Sequence, residues 1–140
     1  GLVQLIKRKS LLRVDSNILV LGGFYLLVIA VYIYFEHNFV NHRPVLIDNV
    51  LEASYPSSTT MLVMCVMPTA MMQFHRLIQN KMVRKIVNII MGVFTIFMVA
   101  GRLISGVHWF TDIIGSILLS SSLVMLYYSV SVYIESKRSQ

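Results

Sequence analysis

At 140 residues the chain has the length of a single domain. Hydrophobic residues make up 56% of it and charged residues 13%, with a mean hydropathy of +0.73, which excludes an ordinary soluble domain. The net charge of +6 would suit a nucleic-acid binder by magnitude alone, while a single cysteine, Cys65, excludes an internal disulfide and speaks against a metal cluster.

The chain opens on Gly1 rather than methionine and shows no signal peptide, which reads as a processed product or a fragment. Residues 1–17 carry Lys7, Arg8, Lys9 and Arg13 among apolar residues, the pattern of a basic segment flanking a membrane. Residues 18–35 are apolar throughout and approach the roughly 20 residues that cross a bilayer. They end in Tyr32, Tyr34 and Phe35, an interfacial belt, and predict the first transmembrane helix.

Residues 36–58 are polar and irregular. Arg43-Pro44 and Tyr55-Pro56 each disfavour helix just before the proline, and 45–53 predict a short amphipathic helix on the membrane surface. Residues 59–75 predict a second span, rich in methionine and kinked at Pro68. A basic loop follows with Arg76, Lys81, Arg84 and Lys85. The third span is expected over 86–107, with Arg102 near its far end, and the fourth over 113–134. Gly115, Ser116, Ser120, Ser121 and Ser122 in the last are small enough to let helices approach closely. The expectation is an all-α polytopic membrane bundle with four transmembrane helices in one membrane domain over 1–140.

If the N-terminus is cytoplasmic, four spans place the 75–85 loop and the C-terminal tail on that side too. Ten of the twelve basic residues then lie inside: Lys7, Arg8, Lys9, Arg13, Arg76, Lys81, Arg84, Lys85, Lys137 and Arg138. This accounts for the high pI without nucleic acid. Arg43 and Arg102 are the exceptions, on the outer side, so something other than topology keeps them there.

Around those two arginines gather the turn Pro56-Ser57-Ser58-Thr59, His108 and Asp112. A turn that runs straight into a helix offers N–H groups to an anion at the positive end of the helix dipole. His108 and Asp112 stand at i, i+4; with a helix starting near Trp109 they share a face, and the carboxylate can orient the imidazole through its Nδ1–H. Arginine forks and amides that hold a phosphoryl group, beside an oriented histidine, suit phosphoryl transfer through a phosphohistidine. Such a scheme needs no metal or other cofactor, and no convincing set of metal ligands is present. The bland alternatives are a His108–Asp112 pair that fixes a helix start, an Arg43 that anchors a loop to headgroups, and Ser57 and Thr59 as N-cap residues.

The spacing R-x5-H-x3-D, preceded by P-S and R-P, resembles the phosphatidic acid phosphatase type 2 superfamily, whose pattern is K-x6-R-P, P-S-G-H and S-R-x5-H-x3-D. Arg102, His108 and Asp112 match the third motif, Arg43 and Pro44 the first, Pro56 and Ser57 the second. The resemblance implies His108 as nucleophile with Asp112 as its partner, and Arg43, Ser57, the Ser58 amide and Arg102 as phosphate ligands. It also implies that the four spans are the last four of a six-helix core. The departures are Glu36 for lysine, Ser58 for glycine, Gly101 for serine and, above all, Thr59 for the histidine that protonates the leaving group in the family. His37 or His42 in the outer loop is a candidate substitute acid, though both also read as interfacial loop residues.

The expected function is therefore a membrane lipid phosphatase acting on a lipid phosphate monoester or pyrophosphate, with membrane lipids as its other partners and no nucleic acid. The expected setting is a bacterial cytoplasmic membrane, with both termini cytoplasmic and the site extracytoplasmic. A catalytically weakened lipid-phosphate binder and a lipid phosphotransferase are the alternatives. The lipid and the oligomeric state are not legible.

Overall fold

The computed structural model of the chain describes residues 16–38, 40–44 and 53–138. It has four helices: α1 (Ser16–His37), α2 (Ser58–Leu77), α3 (Lys81–Ile104) and α4 (Phe110–Arg138). The one β feature among the described residues is an isolated antiparallel bridge between His42 and Ala53. The basic flank over residues 1–15 and the surface helix expected over 45–53, apart from Ala53 itself, lie outside the described residues.

Three helices are long and apolar enough to cross a membrane: Ile18–His37, Lys81–Ile104 and Phe110–Lys137. The chain is an integral membrane protein with a helical bundle fold. The expected second span, α2, is not among the three, and its place in the bundle explains why. It packs against both α3 and α4, and Thr60, Met61, Val63, Cys65 and Thr69 are buried along it. A helix surrounded by protein need not be apolar all round, because its polar groups meet partners rather than lipid. Thr69 donates to the Cys65 carbonyl at 2.8 Å and meets the Tyr25 hydroxyl of α1 at 3.0 Å. By contrast, α3 buries no residue fully; Ile86, Ile90, Val93 and Phe97 form an exposed apolar stripe along it.

The core lies between α1, α2 and α4. Phe24, Met61, Cys65, Leu123 and Tyr127 cluster there, with the Phe24 and Tyr127 rings 5.1 Å apart. The serines of α4 act as small contact residues: Ser116 and Ser120 are fully buried, and their hydroxyls donate to the α2-side carbonyls of Ser57 (3.4 Å) and Met61 (3.3 Å). They register α4 against α2 along its site-bearing half.

Three boundaries around α3 and the start of α4 differ from expectation. Helix α3 starts at Lys81 rather than 86, because the Asn80 side chain caps it, accepting from the N–H groups of Met82 (2.9 Å) and Val83 (3.3 Å). It ends at Ile104, short of 107, and α4 starts at Phe110 rather than 113. The connection is thus only residues 105–109, and His108 sits in it, outside both helices.

Candidate active site at the α3–α4 turn

The turn reverses the chain at Gly106, whose φ of 67° lies in the left-handed region that glycine enters without a Cβ penalty. Trp109 follows as the residue before α4, and Asp112 is the third helical position. The Asp112 carboxylate accepts from the Trp109 backbone N–H at 3.0 Å, the arrangement by which an acidic residue in the first turn closes a helix start. Its other oxygen receives the Asn41 side-chain N–H at 3.4 Å. Asp112 is buried, at 1% exposure.

His108 is buried too, and its orienting partner is not the one the spacing suggests. Its Nδ1 lies 3.0 Å from the backbone carbonyl oxygen of Ser54. A carbonyl only accepts, so Nδ1 carries the proton and donates. The expectation that Asp112 orients the ring through Nδ1–H is corrected here: with His108 in the turn rather than on α4, the i, i+4 geometry does not exist, and the carboxylate is occupied by Trp109 and Asn41. The remaining ring nitrogen, Nε2, is buried and meets no hydrogen-bond partner. With Nδ1 protonated, Nε2 bears a lone pair.

Burial pushes the imidazole below its ordinary protonation range; the Ser54 carbonyl opposes that, Arg43 and Arg102 reinforce it, and the Asp112 charge opposes it weakly. Those influences also put Arg43, Arg102 and the Asp112 carboxylate near one ring, although they come from three separate parts of the chain.

The remaining phosphate-ligand candidates gather at the start of α2. Ser57 is its N-cap residue but makes no side-chain cap bond; its hydroxyl is fully buried and accepts from the Thr60 hydroxyl at 3.0 Å. Capping by the Ser57 side chain, one of the bland readings, is therefore not what the hydroxyl does. Ser58 is the first helical residue, so its N–H and those just after it fall outside the helix's own ladder. The Arg102 guanidinium donates to the Thr59 hydroxyl, tying the end of α3 to the start of α2. Arg43 is half-buried in the segment between α1 and α2.

The candidate substitute acids lie at the end of α1 and in the segment that follows it. His37 is exposed and its Nδ1 lies 3.1 Å from the carbonyl of Ile33, on its own helix. His42 is exposed; its backbone bridges to Ala53 and its carbonyl accepts from the Trp109 indole N–H at 2.8 Å.

Sequence reasoning missed the residues that hold the loop. The Ser54 N–H donates to the Asn41 carbonyl at 2.9 Å, pairing the segment that carries Arg43 with the one that carries the His108 acceptor. Tyr55 packs edge-on against Phe35 of α1 at 5.3 Å and lies over Gly115 of α4, where a Cβ would run into its ring. Tyr32 of α1 interacts with the side chains of Glu36 and Ser58. Only Gly115 carried a sequence signal, as a small residue in an apolar run; a backbone acceptor such as the Ser54 carbonyl leaves none.

Among the described residues, no group of three or more His, Cys, Asp or Glu is placed to hold a metal ion. No curated protein and no solved structure matches the chain. A family model, that of the PAP2 superfamily, matches residues 29–135, a span that takes in Arg43, the start of α2, Arg102, His108 and Asp112. A domain of that kind fits a phosphatase-type function. The chain belongs to the PAP2 superfamily.

Proposed function

We propose that this membrane protein is a lipid phosphatase that hydrolyses a phosphate monoester or pyrophosphate through a phosphohistidine on His108. The observation that carries the reading is the state of that ring: Nδ1 committed to the Ser54 carbonyl, Nε2 buried with an unshared lone pair, and two arginines close enough to disfavour its protonation. A neutral imidazole held in one orientation beside cationic groups is an activated nucleophile with a place for phosphoryl oxygens next to it.

The reaction follows from those groups. The Nε2 lone pair attacks phosphorus, and the bond to the leaving oxygen breaks as the new P–N bond forms. The developing imidazolium charge is stabilised by the Nδ1–H bond to Ser54 and by Asp112. Arg43, Arg102 and the free N–H groups at the start of α2 hold the equatorial oxygens. The leaving oxygen departs as an anion or takes a proton from water. A second water then attacks phosphorus, breaks the P–N bond, releases inorganic phosphate and restores Nε2.

The setting is a lipid bilayer, with the site at the end of the bundle where α1 finishes and α2 and α4 begin. A headgroup reaches it there while the apolar tail stays in lipid. The setting proposed is a bacterial cytoplasmic membrane with the site on its outer face and both termini inside, an orientation that the distribution of basic residues supports.

A second reading, a lipid-phosphate binder without turnover, is favoured by Thr59: the hydroxyl at the expected proton-donor position accepts from Arg102. Phosphate release from a panel of lipid phosphates and pyrophosphates, wild type beside His108→Ala, separates the two. Release that the substitution abolishes is the expected result. Release that survives it overturns the phosphohistidine reading, and no release from either protein with lipid binding retained establishes the binder.

A further inference from the structure

The end of the bundle remote from His108 carries two adjoining cavities that the phosphatase reading does not use. One, of about 450 Å³, lies between α2, α3 and α4, with Met71 and Met72 on one side and Ser131 on the other. The second, of about 430 Å³, opens beside it and is edged by Lys81, Arg84 and Lys85. His75 and Asn88 line both, so the two share a wall. His75 stands seventeen positions beyond Ser58 along α2, roughly 25 Å at the helical rise, which makes this a place distinct from the His108 site.

The chemistry of the cavity is one-sided. Arg76 is paired with Glu135 at 2.6 Å, but among the described residues no carboxylate pairs with Lys81, Arg84 or Lys85. Arg84 spends one N–H on the His75 carbonyl at 3.3 Å, which holds its guanidinium at the mouth. Inside, the Ser131 hydroxyl is buried, at 3% exposure, and has no hydrogen-bond partner; the Asn88 side-chain oxygen has none either. A buried hydroxyl is normally satisfied, and each exception asks for an explanation.

Cations needed only for topology would account for a solvated loop. They do not account for a cavity between helices lined by Asn88 and Ser131, each of which keeps a buried polar atom without a partner. Nor is the surrounding surface that of a water-facing site: Ile86 and Ile89 stand 51% and 55% exposed on α3 next to the basic mouth. An amphiphile with an anionic head matches both features, its phosphate against the cations and its chains along the α3 stripe. Basic pockets between transmembrane helices have this character.

We propose that the cavity between α2, α3 and α4 at the Lys81 end binds the phosphate headgroup of an anionic phospholipid. The site is separate from the phosphohistidine reading and stands or falls without it. The lipid is held, not turned over, since none of the groups around it is a nucleophile oriented as His108 is.

The test is native mass spectrometry of the purified, detergent-solubilised protein offered equal amounts of phosphatidylglycerol and phosphatidylcholine with the same acyl chains. Wild type is expected to retain phosphatidylglycerol with about tenfold preference or more, as three basic residues near a headgroup allow. The triple variant Lys81→Gln, Arg84→Gln, Lys85→Gln should lose the preference. So should Ser131→Leu, which fills the cavity and leaves every charge in place; Lys137→Gln should not. If the triple variant fails to fold, Ser131→Leu alone decides. A wild type without preference overturns the proposal. A Ser131→Leu protein that binds like wild type also overturns it, since the attraction is then diffuse surface charge. Displacement of the lipid by excess inorganic phosphate would reassign the cavity to a free anion.

Discussion

The Nδ1–H of His108 donates to the carbonyl oxygen of Ser54 at 3.0 Å, a bond that joins the turn between α3 and α4 to the segment just before α2. Because the acceptor is a backbone carbonyl, it has no protonation state of its own and fixes one tautomer. The ring's other nitrogen is left as the reactive one. The same segment is held from three directions: by Asn41 through a backbone bond, by Phe35 through the Tyr55 ring, and by the bare surface of Gly115 beneath that ring.

The pH dependence of activity follows from this burial. The His108 imidazole is pushed below its ordinary value of about 6.5, with burial the largest cause. The neutral ring is the nucleophile, so kcat/KM should be level above pH 6.5 and fall only below it, through the lowered value. Stability has the same sign. The unfolded chain binds this proton more readily than the folded one, so the contribution is complete above about pH 6.5 and is lost as pH falls through the folded value. A pH profile of phosphate release checks this; an acid limb centred above 6.5 would argue against a neutral His108 nucleophile.

Asp112 has two effects that substitutions can separate. Its charge favours protonated His108, and its oxygens close the start of α4 through Trp109. Asp112→Asn keeps an acceptor for the Trp109 N–H but removes the charge, so the acid limb should move to still lower pH while the fold is retained. Asp112→Ala also loses the helix closure and should cost about 1 kcal/mol of stability, the usual scale for such caps. Thermal unfolding and pH profiles of both variants are the measurements. An acid limb unmoved in Asp112→Asn would reduce Asp112 to a helix cap.

The helices were legible in the sequence because lipid imposes length and apolarity on a span, and three of the four satisfy both. Helix α2 was legible as a helix, but not its place inside the bundle, where Thr60 and Thr69 are buried against protein. The i, i+4 spacing of His108 and Asp112 pointed to the right neighbourhood and the wrong bond. Spacing reports a shared face only when both residues are helical, and Gly106 ends that condition by turning the chain before Trp109. The Ser54 and Asn41 contacts depend on backbone groups that every residue possesses, so no residue type announces them.

Arg102 reaches from the end of α3 to Thr59 at the start of α2, while the neighbouring Ser105 hydroxyl only donates back to the Arg102 carbonyl at 2.8 Å. A phosphate ligand and a helix-end hydroxyl should respond differently to removal. Arg102→Ala should weaken vanadate or phosphate inhibition by roughly 10–100-fold, the scale of a lost hydrogen bond to a charged group, and Ser105→Ala by little. Arg102→Lys should fall between, keeping charge but losing the fork. Equal effects of the two alanine substitutions would remove Arg102 from the binding role.

Thr59, which accepts from Arg102, is where the proposed chemistry is weakest, since a threonine hydroxyl is a poor acid near neutral pH. A positioned general acid is typically worth ~10²–10⁴-fold. The size of its effect depends on how much the leaving oxygen needs the proton: an alkoxide needs it badly, whereas a phosphate leaving from a pyrophosphate departs readily as an anion. Thr59→His should therefore raise turnover of phosphate monoesters far more than of pyrophosphates, and the ratio of the two rates is the measurement. A rise confined to monoesters would identify pyrophosphates as the substrates this site handles unaided. An equal rise for both would implicate tighter binding rather than proton transfer, and no rise for either would mean that protonation does not limit the rate.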